Sequence, residues 1–328
     1  MFIQTHERKI ASNMKHKTLL FIPLVACSLS SCATGVHYAA EKYFTKSIEY
    51  TENFKILQLT DTHLGDKDDL DLHYRFMDKI IEDAEPDMII VTGDLFTFAS
   101  KGTAISFFNF LEKHHVPWTV TFGNHDEQCY FSIDWMTDYL NNYGKHCYFK
   151  DIQDDDVTGN ANFVINLTQG GVPFEQLIVM DSNRYHYGTD YCGYDYFHED
   201  QIKWYQRVVN PAVRSLMFYH IPLPEIDIAY KEGINLKGVK REKTCPPEYN
   251  SGFFKVIKEV GSTDAMFFGH DHVNNFNVEY EGVTFSYGLK STNRIYYDDD
   301  MTGGQLITLH PDHSFSLEYL FHTYEEVM

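Results

Sequence analysis

The chain has 328 residues, of which 43% are hydrophobic and 16% aromatic, so it can bury a substantial core and does not have the composition of a disordered protein. Its formal net charge of −20 is opposite to the basic surface that a nucleic-acid backbone requires, so we expect no nucleic-acid scaffold binding. The same charge opposes an anionic substrate unless bound cations reverse the local field.

Residues 1–32 are predicted to form an export signal. Lys15 and Lys17 supply a short basic region, and the apolar stretch after them is too short for a comfortable membrane span. The stretch ends in residues 29–32, Leu-Ser-Ser-Cys, which resemble the bacterial lipoprotein processing box. That resemblance implies cleavage before Cys32, acylation of this residue, and a location in the cell envelope with the body outside the cytoplasm. An uncleaved N-terminal anchor helix is the alternative.

The remainder of the chain is predicted to be a tether followed by one domain. Residues 33–53 are mixed in character and lack strong periodicity, which is typical of a tether. No linker, repeat or charge block divides residues 54–328, so we assign them to a single domain. Up to two disulfides are possible in an exported domain with four cysteines, and the spacing does not distinguish paired from free thiols. These cysteines are Cys129, Cys147, Cys192 and Cys245.

Strand-like apolar runs alternate with helical patterns in the first half of this domain. The helical patterns cover Leu70–Ala84, 105–114 and 133–143. Such β-α-β alternation predicts parallel strands joined by right-handed crossovers.

The second half adds more strands and two helical patterns, near residues 198–209 and 252–260. Between residues 278 and 320, three strand-like runs separated by turn residues predict antiparallel strands. Two packed mixed β-sheets flanked by helices, which form a four-layer α/β/β/α sandwich, account for all of these elements.

Five of the strand-like runs end in side chains that favour metal ions. Because the carboxyl ends of strands meet in one crevice of an open α/β sheet, we expect these side chains to converge. Side chains two apart on an extended segment point the same way, so each Asp-x-His or His-x-His pair can hold one ion. Mixed Asp, His and Asn donors suit Fe, Mn or Zn better than Mg or Ca alone. The residues are Asp61, His63, Asp94, Asn124, His220, His270 and His272.

The chemistry expected of such a site is hydrolysis at phosphorus. Asp94 has two carboxylate oxygens and can bridge two ions. Two ions about 3.5–4 Å apart generate hydroxide near neutral pH and hold both oxygens of an in-line displacement. His125 follows a predicted ligand and is well placed to give a proton to the leaving alkoxide. Asp126 is a candidate for orienting that ring, with a purely structural role in the turn as the alternative.

Residues just beyond the run 176–181 are candidates for substrate binding. Asn183 and Arg184 follow this run and can face the crevice, although a role in stabilising the loop is the alternative. The aromatic-rich segment 185–197 can line the pocket or be an ordinary exposed loop.

The order of these motifs resembles that of the calcineurin-like metallophosphoesterase superfamily. The motifs are D-x-H at 61–63, G-D at 93–94, G-N-H-D at 123–126, His220 and G-H-D-H at 269–272, and the resemblance covers about residues 54–320. Segments 218–225, 250–254 and 269–275 further resemble the single-domain branch related to purple acid phosphatases.

This resemblance implies a role for each matching residue. The first ion would be held by Asp61, His63, Asp94 and His272, and the second by Asp94, Asn124, His220 and His270. In this assignment His125 is the acid, and both Asn124 and His125 contact the phosphate. One position departs from the purple enzymes: Thr97 stands where they place a Tyr ligand to iron, so their colour is not expected here.

The sequence therefore predicts an exported, lipid-anchored phosphoesterase with two divalent or trivalent transition-metal ions (Fe, Mn or Zn). Its partners would be a phosphoester substrate and the membrane that holds the anchor. A phosphomonoester is the favoured substrate. The alternatives are a phosphodiesterase acting on nucleotides or lipids, and a surface binding lipoprotein without turnover.

Overall fold

The structure, a computed structural model, describes residues 41–154, 156–189 and 191–328. Its strands are β1 (Ile48–Glu49), β2 (Phe54–Leu59), β3 (Met88–Thr92), β4 (Trp118–Thr121), β5 (Phe163–Gln169), β6 (Val172–Val179), β7 (Tyr185–Tyr187), β8 (Cys192–Tyr194), β9 (Arg214–Phe218), β10 (Ile234–Lys237), β11 (Thr263–Phe268), β12 (Asn277–Tyr280), β13 (Val283–Tyr287), β14 (Gly303–Leu309) and β15 (Phe315–Phe321). Its helices are α1 (Leu70–Ala84), α2 (Lys101–Glu112), α3 (Ile133–Asn141), α4 (Glu199–Val208), α5 (Ile226–Glu232) and α6 (Phe253–Val260).

Helix α1 illustrates how the sequence specifies these elements. Asp69 precedes the helix and accepts a hydrogen bond from the backbone N–H of Leu72, which caps the N-terminus. Glu85 adopts a left-handed conformation and Pro86 follows it, so the helix ends there. The buried apolar residues recur at helical spacing, at Phe76, Met77, Ile80, Ile81 and Ala84. The prediction for this helix is confirmed, and the other four predicted helices lie within a few residues of α2, α3, α4 and α6.

A five-stranded sheet carries the first half of the domain. Its order is β15-β14-β2-β3-β4, and β2, β3 and β4 run parallel, as the β-α-β alternation predicts. At the other side of β2, strand β14 adds in the antiparallel sense. The C-terminal end of the chain therefore completes the sheet that the N-terminal half begins.

An eight-stranded sheet packs against the five-stranded one. Its order is β1-β5-β6-β9-β11-β13-β12-β10. Side chains along its central strands alternate between two cores. Phe218 and Phe267 lie in the core between the sheets, whereas Met217 and Met266 pack against helices α4 and α6 on the outer face. Helices α1, α2 and α3 cover the five-stranded sheet. The predicted four-layer sandwich of two mixed sheets flanked by helices is confirmed.

The prediction that the C-terminal runs are all antiparallel is wrong for one strand. Strand β13 pairs antiparallel with β12 but parallel with β11. Strands β14 and β15 form an antiparallel pair, but they belong to the other sheet. Strands β13 and β14 each lie between two other strands, and the apolar pattern alone does not reveal which strands these are or in which direction they run.

The predicted tether over residues 33–53 does not describe residues 43–50. Tyr43 is 1% exposed and lies in the outer core, and the backbone of Phe44 bridges to Val164. Strand β1 then pairs with β5. Short strands with little periodicity carry a weak sequence signal, which explains the error. The predicted export signal, Cys32 and residues 33–40 lie outside the described residues.

Two further features of the described residues bear on the sequence predictions. Cys129, Cys147, Cys192 and Cys245 are all free thiols. Among the residues that the structure describes, no helix has the length and apolar character needed to cross a membrane.

Candidate metal centre

The first group of metal-favouring side chains lies where strands β2, β3 and β11 end. The ligand atoms of Asp61, His63, Asp94 and His272 lie within 4.8 Å of one another, and all four residues are buried. Nε2 of His63 lies 3.5 Å from Oδ2 of Asp94, and Nε2 of His272 lies 3.5 Å from Oδ1 of Asp61. These separations leave the donor atoms facing a common point.

A second group shares Asp94 with the first. Asp94, His220 and His270 also place ligand atoms within 4.8 Å of one another, and Nε2 of His220 lies 3.2 Å from Oδ2 of Asp94. Nε2 of His220, both ring nitrogens of His270 and Oδ1 of Asn124 are buried without a hydrogen-bond partner. Buried polar atoms of this kind are costly unless a ligand satisfies them.

The backbone is strained at the residues that form this centre. Four non-glycine residues adopt left-handed conformations, with φ of 53° at Asp61, 45° at His63, 49° at Asp94 and 80° at His270. Such conformations cost on the order of 1–3 kcal/mol each and cluster at functional sites. Asp61 and His63 therefore meet through a left-handed turn, and not through the extended alternation that we expected.

Two glycines allow the loops to approach this closely. A Cβ at Gly123 would lie 2.3 Å from Oδ1 of Asp94, and a Cβ at Gly269 would lie 2.4 Å from Oδ2 of Asp61. Any residue with a Cβ at either position would overlap these carboxylate oxygens, whereas glycine does not. The glycines of the G-N-H-D and G-H-D-H motifs are thus required by the packing around the carboxylates.

The surroundings of the cluster shift the pKa values of its carboxyl groups and of three of its histidines. Burial alone would raise the pKa of Asp61 and Asp94, yet the facing histidines hold both pKa values below the usual range. Burial alone would lower the pKa of His220, but Asp94 and Asp61 raise it to about 10. Burial lowers the pKa of His63, and burial together with His220 lowers that of His270 to about 3. Asp61 and Asp94 therefore remain carboxylates while His63 and His270 remain neutral imidazoles, the protonation states in which these side chains bind metal ions.

The remaining ring nitrogens of three histidines are fixed by the body of the domain. Nδ1 of His63 contacts Oγ1 of Thr97 at 2.9 Å. Nδ1 of His220 lies 2.8 Å from the carbonyl oxygen of Thr92, and Nδ1 of His272 lies 2.9 Å from that of Tyr296. Contacts of this kind fix the tautomer and the ring orientation of metal-binding histidines. Thr97 therefore orients the ligand His63 from the position at which purple acid phosphatases place a Tyr ligand.

Two residues after β13 hold the backbone of the Asp61–His63 turn by hydrogen bonds, and the sequence did not reveal them. Nζ of Lys290 donates to the carbonyl oxygen of Asp61 at 2.8 Å, and Oγ1 of Thr292 donates to that of Thr62 at 2.8 Å. Lys290 is buried, and burial lowers its pKa to about 7. A single Lys between turn residues has the sequence signature of a surface position, which is why no signal pointed to it.

His125 lies beside the first group. Its ring centroid is 5.1 Å from that of His63, and its backbone N–H donates to Oδ1 of Asp94 at 2.8 Å. The side chain that hydrogen-bonds to its ring is that of Gln128, so of the two roles considered for Asp126 the structural one in the turn is favoured. The Asp126 carboxylate accepts hydrogen bonds from the backbone N–H groups of Phe96 and Gly123, so it stabilises the turn.

The two predicted substrate residues occupy different surroundings. Asn183 is buried, and its Nδ2 donates to the carbonyl oxygen of Tyr196 and to Oε1 of Gln201, both at 2.8 Å. Its amide nitrogen is therefore engaged in holding the loop, which favours the loop-stabilising role over the substrate contact. Arg184 is half-buried and lies 3.9 Å from the Glu127 carboxylate, on the His125 side of the centre. Its substrate role stays a prediction.

A hairpin that the sequence did not predict covers the second group. Strands β7 and β8 pair with Tyr185 opposite Tyr194. Nδ2 of Asn124 donates to the hydroxyl of Tyr185 at 2.8 Å, and the Tyr194 ring lies edge-on to that of His270 with centroids 4.3 Å apart. The segment 185–197 thus lines the site, one of the two readings left open.

The chain that carries this geometry matches a known protein family. A family model described as calcineurin-like phosphoesterase matches residues 54–274. The chain belongs to this family. The match spans the elements that carry all seven predicted metal ligands.

Relatives of this chain are known from plants. It is 26% identical over 320 residues to "Probable inactive purple acid phosphatase 14" of Arabidopsis thaliana, covering 82% of this chain and 78% of the relative. It is also 26% identical over 326 residues to "Probable inactive purple acid phosphatase 29" of the same plant, covering 85% and 82%. A dimetal phosphatase from Danio rerio has the same fold, with a TM-score of 0.56 at 14% identity, covering 84% of this chain and 100% of that one.

The residues present fit two transition-metal ions. The buried nitrogen and oxygen atoms without hydrogen-bond partners and the carboxylate of Asp94, which both groups share, match that requirement. Imidazole and carboxylate donors in one site suit Zn, Mn or Fe. The calcineurin-like fold and this donor set together support a dinuclear centre and a phosphoester substrate.

Proposed function

We propose that this phosphoesterase is a dinuclear-metal hydrolase that cleaves P–O bonds, with phosphomonoesters as its favoured substrates. The observation that carries the proposal is the pair of ligand groups joined at Asp94. Beside it, the ring nitrogens of His270 and Oδ1 of Asn124 are buried without a hydrogen-bond partner. A protein that only bound a partner would gain nothing from this arrangement, whose unsatisfied atoms and strained backbone cost stability.

The chain supplies positioning and proton transfer. The two ligand groups joined at Asp94 would hold two ions, which would supply activation of water near neutral pH and neutralisation of charge on the phosphate. Asp94 is placed to serve both groups, and its carboxylate is anchored by the backbone N–H of His125. Since Nδ1 of His125 donates to Gln128, the other ring nitrogen gives its proton to the leaving alkoxide from the imidazolium form, which leaves a neutral imidazole.

The donors favour a class of metal ions. With Asp, His and Asn, the site accepts Fe, Mn or Zn. Thr97 contacts His63 through its hydroxyl and provides no phenolate. An iron-loaded preparation should therefore lack the intense visible absorption of an Fe(III)–tyrosinate pair.

A second candidate function is a binding protein that retains the fold without turnover. The names of the Arabidopsis thaliana relatives, which describe those proteins as inactive, favour it. In this chain, His125 and the complete donor set argue for catalysis.

The test combines metal analysis with hydrolysis assays. Full-length wild-type protein reconstituted with Mn or Zn should hold about two ions per chain and hydrolyse p-nitrophenyl phosphate faster than bis(p-nitrophenyl) phosphate. Asp94→Ala, which removes the residue shared by both groups, should lose both ions and the activity. Fewer than one ion per chain under metal-replete conditions would overturn the proposal. Two bound ions without hydrolysis of any mono- or diester would favour the binding protein.

We also propose export and lipid anchoring, on the sequence of residues 1–32 alone. Expression in a bacterial host with a clickable fatty acid should label the wild-type protein and place it in the membrane fraction. Cys32→Ala should abolish the label. Equal labelling of both proteins, or labelling of neither, would contradict acylation at Cys32.

A further inference from the structure

The ligands of the two groups differ in what holds them in place. In the first group, His63 and His272 are fixed by Thr97 and by the carbonyl oxygen of Tyr296, which follow strands β3 and β13. In the second group, only His220 has a fixed outer contact within the sheets, to the carbonyl oxygen of Thr92.

The other two ligands of the second group contact the hairpin β7–β8. An amide such as that of Asn124 can present either its oxygen or its nitrogen to a cation, and only the oxygen binds. The Tyr185 hydroxyl accepts from Nδ2 of Asn124 at 2.8 Å, which turns Oδ1 away from the hairpin. That Oδ1 is buried and has no hydrogen-bond partner.

The ring of His270 is held by packing instead of hydrogen bonding. Neither of its nitrogens has a hydrogen-bond partner, and the ring of Tyr194 meets it edge-on with centroids 4.3 Å apart. Tyr194 stacks in turn on Tyr185, opposite it in the hairpin, with centroids 5.7 Å apart. The two tyrosines thus form one unit that touches both ligands.

We propose that Tyr185 and Tyr194 are positioning residues for the second metal ion, so that the hairpin sets the affinity for that ion and leaves the first unaffected. The inference rests on the dinuclear centre of the proposed function. Outer contacts to metal ligands typically change metal affinity by about 10–100-fold when removed. The asymmetry predicts two ions that differ in their sensitivity to changes in this hairpin.

The experiment is a titration of metal-free, full-length protein with Mn²⁺, followed by calorimetry and by the electron paramagnetic resonance of the coupled ion pair. Tyr185→Phe removes only the hydroxyl, and should weaken the second binding stage by about tenfold while the first stage is unchanged. Tyr194→Ala should weaken the same stage, whereas Tyr194→Phe keeps the ring and should bind like the wild type. In both weakened variants, the coupled signal should appear only at higher Mn²⁺ concentrations.

Two matched controls separate positioning from general damage. Tyr187→Phe changes an exposed tyrosine of the same strand, 77% exposed, and should leave both stages unchanged. Thr97→Val removes the contact to His63 and should weaken the first stage instead. Thermal unfolding of each metal-free variant reports whether the fold is retained.

The outcomes distinguish this inference from the proposed function. Equal second-stage affinities in wild type and Tyr185→Phe, or equal weakening of both stages, overturn the role of the hairpin even if hydrolysis is intact. If the wild type binds two ions and the hairpin variants weaken only the second stage, the inference is supported. If the same wild type hydrolyses no phosphoester, the proposed function is overturned. A wild type that binds a single ion overturns both.

Discussion

Nδ1 of His125 lies 2.9 Å from Oε1 of Gln128, so the candidate acid is oriented by a neutral amide three residues further along the chain. Gln128 ends a short 3₁₀ turn that begins at Asp126, and this turn brings the two side chains together. A neutral acceptor fixes which ring nitrogen faces the site without adding a charge to it.

Replacing Gln128 should therefore impair the chemical step more than substrate binding. Gln128→Met keeps the length of the side chain but removes the acceptor, and a lost hydrogen bond of about 1 kcal/mol corresponds to a fall in kcat of about fivefold. We expect KM and metal content to stay near their wild-type values. Steady-state kinetics and metal analysis check this, and an equal effect on KM would argue against an orienting role.

His125→Ala should lower kcat by about 10²–10⁴-fold on an alkyl phosphate, because the leaving alkoxide needs a proton. The loss on p-nitrophenyl phosphate should be much smaller, since nitrophenolate leaves without protonation. Metal content should be retained, since the backbone N–H that donates to Asp94 is unchanged. Equal losses on the two substrates would exclude proton donation as the role of His125.

Gly123→Ala should disrupt the centre through steric overlap. The added methyl group would lie 2.3 Å from Oδ1 of Asp94 and 2.7 Å from Cδ2 of His220, so the shared carboxylate must move. We expect metal affinity to fall by at least about tenfold and activity with it. Gly102→Ala, in helix α2, is the matched control, because its nearest contact is 3.5 Å away at Oγ of Ser100. Titration with Mn²⁺ compares the two, and similar affinities would refute the steric argument.

One carboxyl group far from the metal centre should make the domain less stable as pH rises. Glu175, in β6, is 1% exposed, and burial raises its pKa to about 8, although Arg214 acts in the opposite direction. Between its ordinary pKa and about 8, the folded chain binds more protons than the unfolded chain, so the free energy of unfolding decreases as pH rises.

Glu175→Gln removes this titration and should therefore remove its contribution to the pH dependence of the unfolding free energy. The variant should exceed the wild type in unfolding free energy by a few kcal/mol at about pH 9, and the difference should vanish near pH 4 to 5. Chemical denaturation of the two proteins across this range is the measurement. A constant difference at all pH values would mean that Glu175 does not titrate with a raised pKa.

Much of the fold and the convergence of the site residues could be predicted from sequence for a physical reason. Buried strands such as β3 are continuous apolar runs, and Asp94 directly after such a run must lie at the carboxyl edge of the sheet. Ligand identity is thus carried by residue type and local position, which a sequence displays directly.

The contacts around those residues could not be predicted, because they join segments far apart in the chain. Tyr185 and Tyr194 belong to short strands in a polar, aromatic segment with no alternation to mark them. Lys290 reaches Asp61 across 229 positions, and nothing near it indicates burial. Asp126 and Gln128 are both polar residues in one turn, and only the geometry shows which of them faces the ring of His125.

The antiparallel addition of β14 to β2 has a consequence for how this domain can be divided. The family match ends at residue 274, so a fragment of residues 54–274 would contain all seven predicted ligands. Such a fragment would leave β2 with an open edge, deprive the Asp61 carbonyl of Lys290 and deprive the His272 ring of the Tyr296 carbonyl. The smallest autonomous unit therefore extends through β15. Chimeras with relatives should exchange the C-terminal strands together with the segment that carries the ligands.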